Sequence, residues 1–138
     1  VEGDVKMKMY TDGGCKPNPG KMAIAVTDEK GNVLLKGFVG EGTNNIAEYT
    51  AVMDAIGYCI SKGITDLTIL TDSNLVYNQY NNNWKVNDVG FKIFLRWMKS
   101  RTKHFRHLSI EKINREDNLA GKVIEQMWKE EKRKLRGV

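Results

Sequence analysis

The sequence predicts a mixed α/β fold, an antiparallel strand meander followed by strands joined through helices. Three observations carry this. Apolar residues alternate with a period of two in the N-terminal part, the period becomes helical near Asn45, and short apolar runs then alternate with amphipathic stretches.

The first strand sets Val5, Met7 and Met9 between Lys6, Lys8 and Tyr10. Asp12-Gly13-Gly14-Cys15-Lys16-Pro17-Asn18-Pro19-Gly20 follows, and its glycines and prolines predict a connection, neither helix nor central strand. Ala23 to Val26 and Val33 to Val39 flank the turn Asp28-Glu29-Lys30-Gly31-Asn32, so these strands should pair antiparallel. Ile46, Ala47, Tyr49, Ala51, Val52, Ala55, Ile56 and Ile60 recur at helical spacing, with Gly63 as the C′ residue. Leu67 to Leu70 suits a buried strand that ends on Thr71-Asp72-Ser73-Asn74. Leu75, Val76 and Tyr77 restart a helix, which Asn81-Asn82-Asn83-Trp84 breaks. Val89 to Met98 is the next helix, His107 to Ile113 the last strand, and Asn118 to Leu135 the closing helix, striped by Val123, Ile124, Met127 and Trp128. Right-handed crossovers place the fourth strand beside the first.

A chain of 138 residues, 41% hydrophobic and 28% charged, can bury a core unaided, so residues 1–138 are expected to form a single domain; disordered, collagenous and tandem-repeat classes are excluded. Cys15 and Cys59 fit neither a disulfide framework nor a zinc site, and the lack of a leader points to a reducing cytoplasm. No apolar run approaches the roughly 20 residues that span a bilayer. The net charge of +5 suggests a polyanionic partner. It is unevenly spread: Lys92 to Arg115 holds eight Lys or Arg (Lys92, Arg96, Lys99, Arg101, Lys103, Arg106, Lys112, Arg115) against Glu111 alone.

Asp12 ends the first strand and Asp72 the fourth. If those strands are parallel neighbours, the two acids share one rim about 5 Å apart. Glu48, in the first turn of the helix beginning near Asn45, can point to the same rim. Taken singly, the three suit a turn, a favourable charge at a helix N-terminus and an N-cap. Taken together they form a ring of acids that repel one another unless cations occupy it, the pattern of a divalent metal site.

Tyr10-Thr11-Asp12-Gly13-Gly14-Cys15-Lys16-Pro17-Asn18-Pro19-Gly20, Thr43-Asn44-Asn45-Ile46-Ala47-Glu48-Tyr49-Thr50-Ala51 and Thr71-Asp72-Ser73, in this order and spacing, resemble type 1 ribonuclease H, and the resemblance spans Met7 to about Trp128. It implies a ribonuclease H-like fold, a five-stranded mixed sheet of order 3-2-1-4-5 with helices on both faces. It also implies endonucleolytic cleavage of the RNA strand of an RNA–DNA hybrid with two Mg²⁺ or Mn²⁺ ions, Asp12 bridging both and Glu48 and Asp72 completing the cage. The chain resembles a compact, monomeric form, with neither a long basic protrusion nor a separate hybrid-binding domain.

Family members add a fourth acid at the start of the last helix. Here the stretch Asn114-Arg115-Glu116-Asp117-Asn118-Leu119-Ala120-Gly121-Lys122 admits two registers. One makes Asp117 the fourth metal ligand, which is the expected assignment. The other aligns Arg115 to Asn118 with an Arg-Glu-x-Asn pattern and puts Gly121 or Lys122 at the acid position; Glu125, one turn on, or no residue at all, then takes the role.

For the substrate, the resemblance makes Asn18, Asn44 and Asn45 minor-groove contacts to ribose 2′-hydroxyls, with Cys15 and Asn74 similarly placed and the backbone of Gly13, Gly14 and Cys15 able to approach a phosphate. Trp84 and Lys85, with Lys99, Arg101 and Lys103, are expected to face the DNA strand. Two other functions compete: a hybrid-binding module with reduced catalysis, and a metal-dependent 3′–5′ exonuclease on the same fold.

Overall fold

Strand β1 (Lys6–Lys16) is the axis of the structure, a computed structural model that describes residues 3–137. On one side it pairs antiparallel with β2 (Gly20–Asp28), which pairs with β3 (Val33–Gly42); on the other it pairs in parallel with β4 (Asp66–Thr71), and β4 with β5 (His107–Lys112). The sheet order is β3-β2-β1-β4-β5, as expected. The helices are α1 (Asn44–Ser61), α2 (Asn74–Tyr80), α3 (Val89–Ser100) and α4 (Leu119–Arg136), with short 3₁₀ turns at Thr102–His104 and Arg115–Asp117.

Two boundaries differ from expectation, and both matter to the site. β1 does not stop at Asp12. It continues through the glycines to Lys16, because the antiparallel ladder with β2 runs unbroken from Met9↔Asp28 to Lys16↔Lys21, leaving only Pro17 to Pro19 for the turn. Its partnership with β4, however, ends at Tyr10↔Leu70. Beyond that point β1 has one open edge. The second difference is α1, which starts at Asn44 because Thr43 caps it, its Oγ1 accepting from the Ile46 N–H at 3.2 Å. Glu48 therefore lies in the second turn, and no acid occupies the first.

Side chains alternate across β1 and β2. Met9 and Val26 face a large core closed by α1 and α3, in which fully buried Tyr49 packs against Phe91 and Phe94. Ala23 and Ala25 face the opposite side, where Ala120, Ile124 and Met127 of α4 cover them. Small residues at this contact let α4 lie close to the sheet. Gly63 ends α1 at φ 73°, the left-handed C′ geometry the sequence predicts. Both cysteines are free and buried, and among the described residues no helix is long and apolar enough to cross a membrane.

Candidate metal centre and nucleic-acid cleft

The open edge of β1 is closed by side chains rather than by a strand. Gly13 N–H donates to Glu48 Oε1 at 2.8 Å, Cys15 N–H donates to Asn44 Oδ1 at 2.8 Å, and Asn118 Nδ2 donates to the Thr11 carbonyl at 3.0 Å. Backbone groups that β4 would have paired thus become anchors for α1 and α4. This corrects the expectation that the amides of Gly13 and Cys15 approach a phosphate: they are engaged by α1. Gly13 is required for such proximity, since a Cβ there would lie 2.3 Å from the Ala47 carbonyl carbon and oxygen.

The anchored side chains converge on a cleft. Asp12, Glu48 and Asp72 each bring a carboxylate oxygen within 4.8 Å of the others. Asp72 is free to do so because Ser73, not Asp72, caps α2, accepting from Val76 N–H at 3.1 Å. Burial, then the Asp72 charge, pushes the Asp12 carboxyl up to about 7, against the Gly13 amide and Arg115, which pull it down. Burial and the charges of Asp12 and Asp72 likewise raise Glu48 well above the carboxylate range. The group is therefore short of positive charge. Three hard oxygen donors in a partly buried pocket fit a small divalent cation.

Asp117 is not brought to this group, which corrects its assignment as fourth ligand. It is exposed in the 3₁₀ turn Arg115–Asp117, outside the cleft. The next residue turns inward instead: buried Asn118 caps α4, accepting from Ala120 N–H at 3.0 Å, and donates to Asp72 Oδ2 at 2.9 Å. Sequence reading missed Asn118, although the Arg-Glu-x-Asn register singles it out. It also missed Arg115, counted with the basic run but lining the acid cleft.

Gly14, Cys15, Asn44, Asn45, Asn74 and Trp84 line the cleft as well. Cys15 is buried and donates its thiol to the Pro17 and Gly42 carbonyls, so it braces the loop. Asn18 accepts from Asn44 N–H at 3.1 Å and ties the β1–β2 turn to α1. The basic residues divide. Trp84 joins the acid cleft to a second groove with Lys85, Lys92, Arg96 and Lys99. Arg101 instead lies over the Trp97 ring at 4.1 Å. Lys103 precedes β5, whose start pairs with Asp66 at the end of β4 opposite Asp72, and Arg106 there is paired with Asp4. Arg101 and Lys103 are thus not brought together with the predicted site.

Residues 10–126 match the reverse transcriptase-like family. A bifunctional protein of Mycobacterium tuberculosis is 29% identical over 119 residues, covering 83% of this chain and 33% of that protein. Ribonuclease H of Caldicellulosiruptor saccharolyticus is 38% identical over 78 residues, 55% of this chain and 52% of that protein. The chain spans 33% to 59% of the length of the curated relatives it matches. The crystal structure of ribonuclease H1 from Halobacterium salinarum superposes with a TM-score of 0.77 at 27% identity, covering 86% of this chain and 92% of that one. A ribonuclease H1 solved in complex with an RNA/DNA hybrid gives 0.70 at 31% identity over 82% and 88%. The chain belongs to the reverse transcriptase-like family of ribonuclease H-like domains.

Proposed function

We propose that this chain is a metal-dependent endoribonuclease that cuts the RNA strand of RNA–DNA hybrids, with Asp12, Glu48 and Asp72 holding Mg²⁺ or Mn²⁺. The observation that carries it is the convergence of three partly buried carboxylates beneath a cleft bordered by Asn44, Asn45 and Asn74. The similarity to a ribonuclease H1 solved on a hybrid supports the substrate. When bound, the ions lower the pKa of a water and stabilise charge on the departing 3′ oxygen. The protein's part is to hold the acids at fixed separation. Gly13 orients Glu48, Asn118 orients Asp72, and both acids bring a carboxylate oxygen within 4.8 Å of one on Asp12. The Asn44 Nδ2 donor, its Oδ1 being held by the Cys15 N–H, and the exposed amide of Asn45 can meet ribose 2′-hydroxyls, which DNA lacks. Arg115 supplies a cation for the scissile phosphate.

The DNA strand lies in the groove of Trp84, Lys85, Lys92, Arg96 and Lys99. Neutralising Lys85, Lys92, Arg96 and Lys99 together should lower the slope of log affinity against log salt by about one for each phosphate no longer neutralised. Neutralising Arg101 and Lys103 should leave it nearly unchanged. Filter binding across a salt series measures both, and equal slopes for the two variants would refute this placement.

The activity itself is tested by incubating a labelled RNA–DNA hybrid and the all-DNA duplex of the same sequence with and without Mg²⁺ or Mn²⁺. Cleavage of the RNA strand alone, and only with metal, is expected. The position of Asp117 outside the cleft favours the second reading, a hybrid binder with reduced catalysis; retention without cutting would support it.

A further inference from the structure

The position on α4 that faces the acids carries no side chain. A Cβ at Gly121 would lie 3.4 Å from Asp12 Oδ2 and 3.9 Å from Asp12 Cγ, so an acid there would project into the group. Lys122 is exposed and, like Asp117, does not line the cleft. Glu125 does line it, one turn after Gly121. In an α-helix each Cα–Cβ bond tilts toward the N-terminus, so a side chain covers the turn before its own Cα. Because Gly121 is bare, the space beside Asp12 is open to Glu125. The Cβ positions at this spacing are about 6 Å apart, and a glutamate carboxylate, one methylene longer than an aspartate's, reaches further back across that gap toward Asp12. Among the described residues no hydrogen bond or ion pair engages the Glu125 carboxylate.

We propose that Glu125 is the fourth metal-ligating carboxylate, reaching back over Gly121, so that the acid has moved one turn along α4 rather than been lost. This rests on the metal-dependent reading above. The longer side chain must be ordered when the ion binds, so Glu125 serves the weaker of two ion sites.

The test is a Mn²⁺ titration of the intact protein, followed by the electron paramagnetic resonance of free Mn²⁺. Glu125→Gln and Glu125→Asp should each weaken the weaker Mn²⁺ equivalent by roughly tenfold or more while leaving the tighter one little changed. Adding Gly121→Asp to Glu125→Gln should restore it, the new acid starting 3.4 Å from Asp12 Oδ2. Position 125 is exposed, so the single variants fold, and a cooperative melt checks this. Wild-type Mn²⁺ affinity in either single variant, or no Mn²⁺ binding by the wild type, overturns the proposal. Failure of the wild type to cut a hybrid would remove the nuclease function and leave this comparison of affinities intact.

Discussion

Asp12→Asn is expected to lower hybrid cleavage by about three orders of magnitude or more, the loss that follows when several kcal/mol of metal-centred charge stabilisation disappears. The same substitution should make the metal-free protein more stable at pH 8. Asp12 ionises near 3.8 when unfolded and near 7 when folded, because burial and Asp72 oppose its charge. Between those values the folded state holds a proton that the unfolded state has released. Stability therefore falls as pH rises from about 4 to about 7, and the full penalty, on the order of a few kcal/mol, is present above that window. Asparagine carries no such penalty. Thermal melts in chelator at pH 5 and pH 8 should show the variant gaining on the wild type chiefly at pH 8, and Mg²⁺ should then stabilise the wild type more. A variant less stable than the wild type at pH 8 without metal would contradict this electrostatic picture.

Gly13→Ala should be the most damaging single methyl addition in the cleft. Its Cβ would sit 2.3 Å from the carbonyl carbon and oxygen of Ala47 and 2.6 Å from Glu48 N, backbone atoms that cannot rotate aside. Helix α1 must move away, losing the 2.8 Å bond from Gly13 N–H to Glu48 Oε1. A cost of about 3 kcal/mol or more is expected, overpacking and a broken, partly buried hydrogen bond acting together. Cleavage by the remaining folded protein should fall too, since Glu48 loses its tether. Gly14→Ala is the control. Its Cβ would meet only Ile124 Cγ2 at 3.9 Å and Trp128 Nε1 at 4.0 Å, ordinary contacts, so it should cost within about 1 kcal/mol. Urea unfolding measures both, and similar stabilities would show that α1 is not held by close approach at Gly13.

These two positions also explain what the sequence discloses and what it conceals. Alternation in β1 and the helical stripe of α1 are local signals, so the fourth strand's place beside the first and the sharing of one rim by Asp12, Glu48 and Asp72 follow from pattern and crossover handedness, while the full strand order is what the family resemblance implies. The extent of β1 does not. Glycines and prolines signal a loop, yet here they permit a strand whose missing partner is replaced by Glu48, Asn44 and Asn118, contacts 29 to 107 residues apart in the chain. Asp117 and Asn118 show the limit most plainly. Adjacent in sequence and both able to cap or ligate, they are separated only by which of them the 3₁₀ turn at Arg115–Asp117 directs inward, a tertiary outcome. The basic run from Lys92 to Arg115 likewise reads as one surface but divides among the α3 groove, the Trp97 face, the Asp4 pair and the acid cleft.

The measurement that bears most directly on the cleft is the position of cuts in a duplex carrying ribonucleotides only in the interior of one strand, labelled at both ends. Cuts confined to the internal ribonucleotides, dependent on Mg²⁺ or Mn²⁺ and lost in Asp12→Asn, are the expected result. Shortening from one end, cutting that persists without divalent ions, or binding with no cut at all would contradict it.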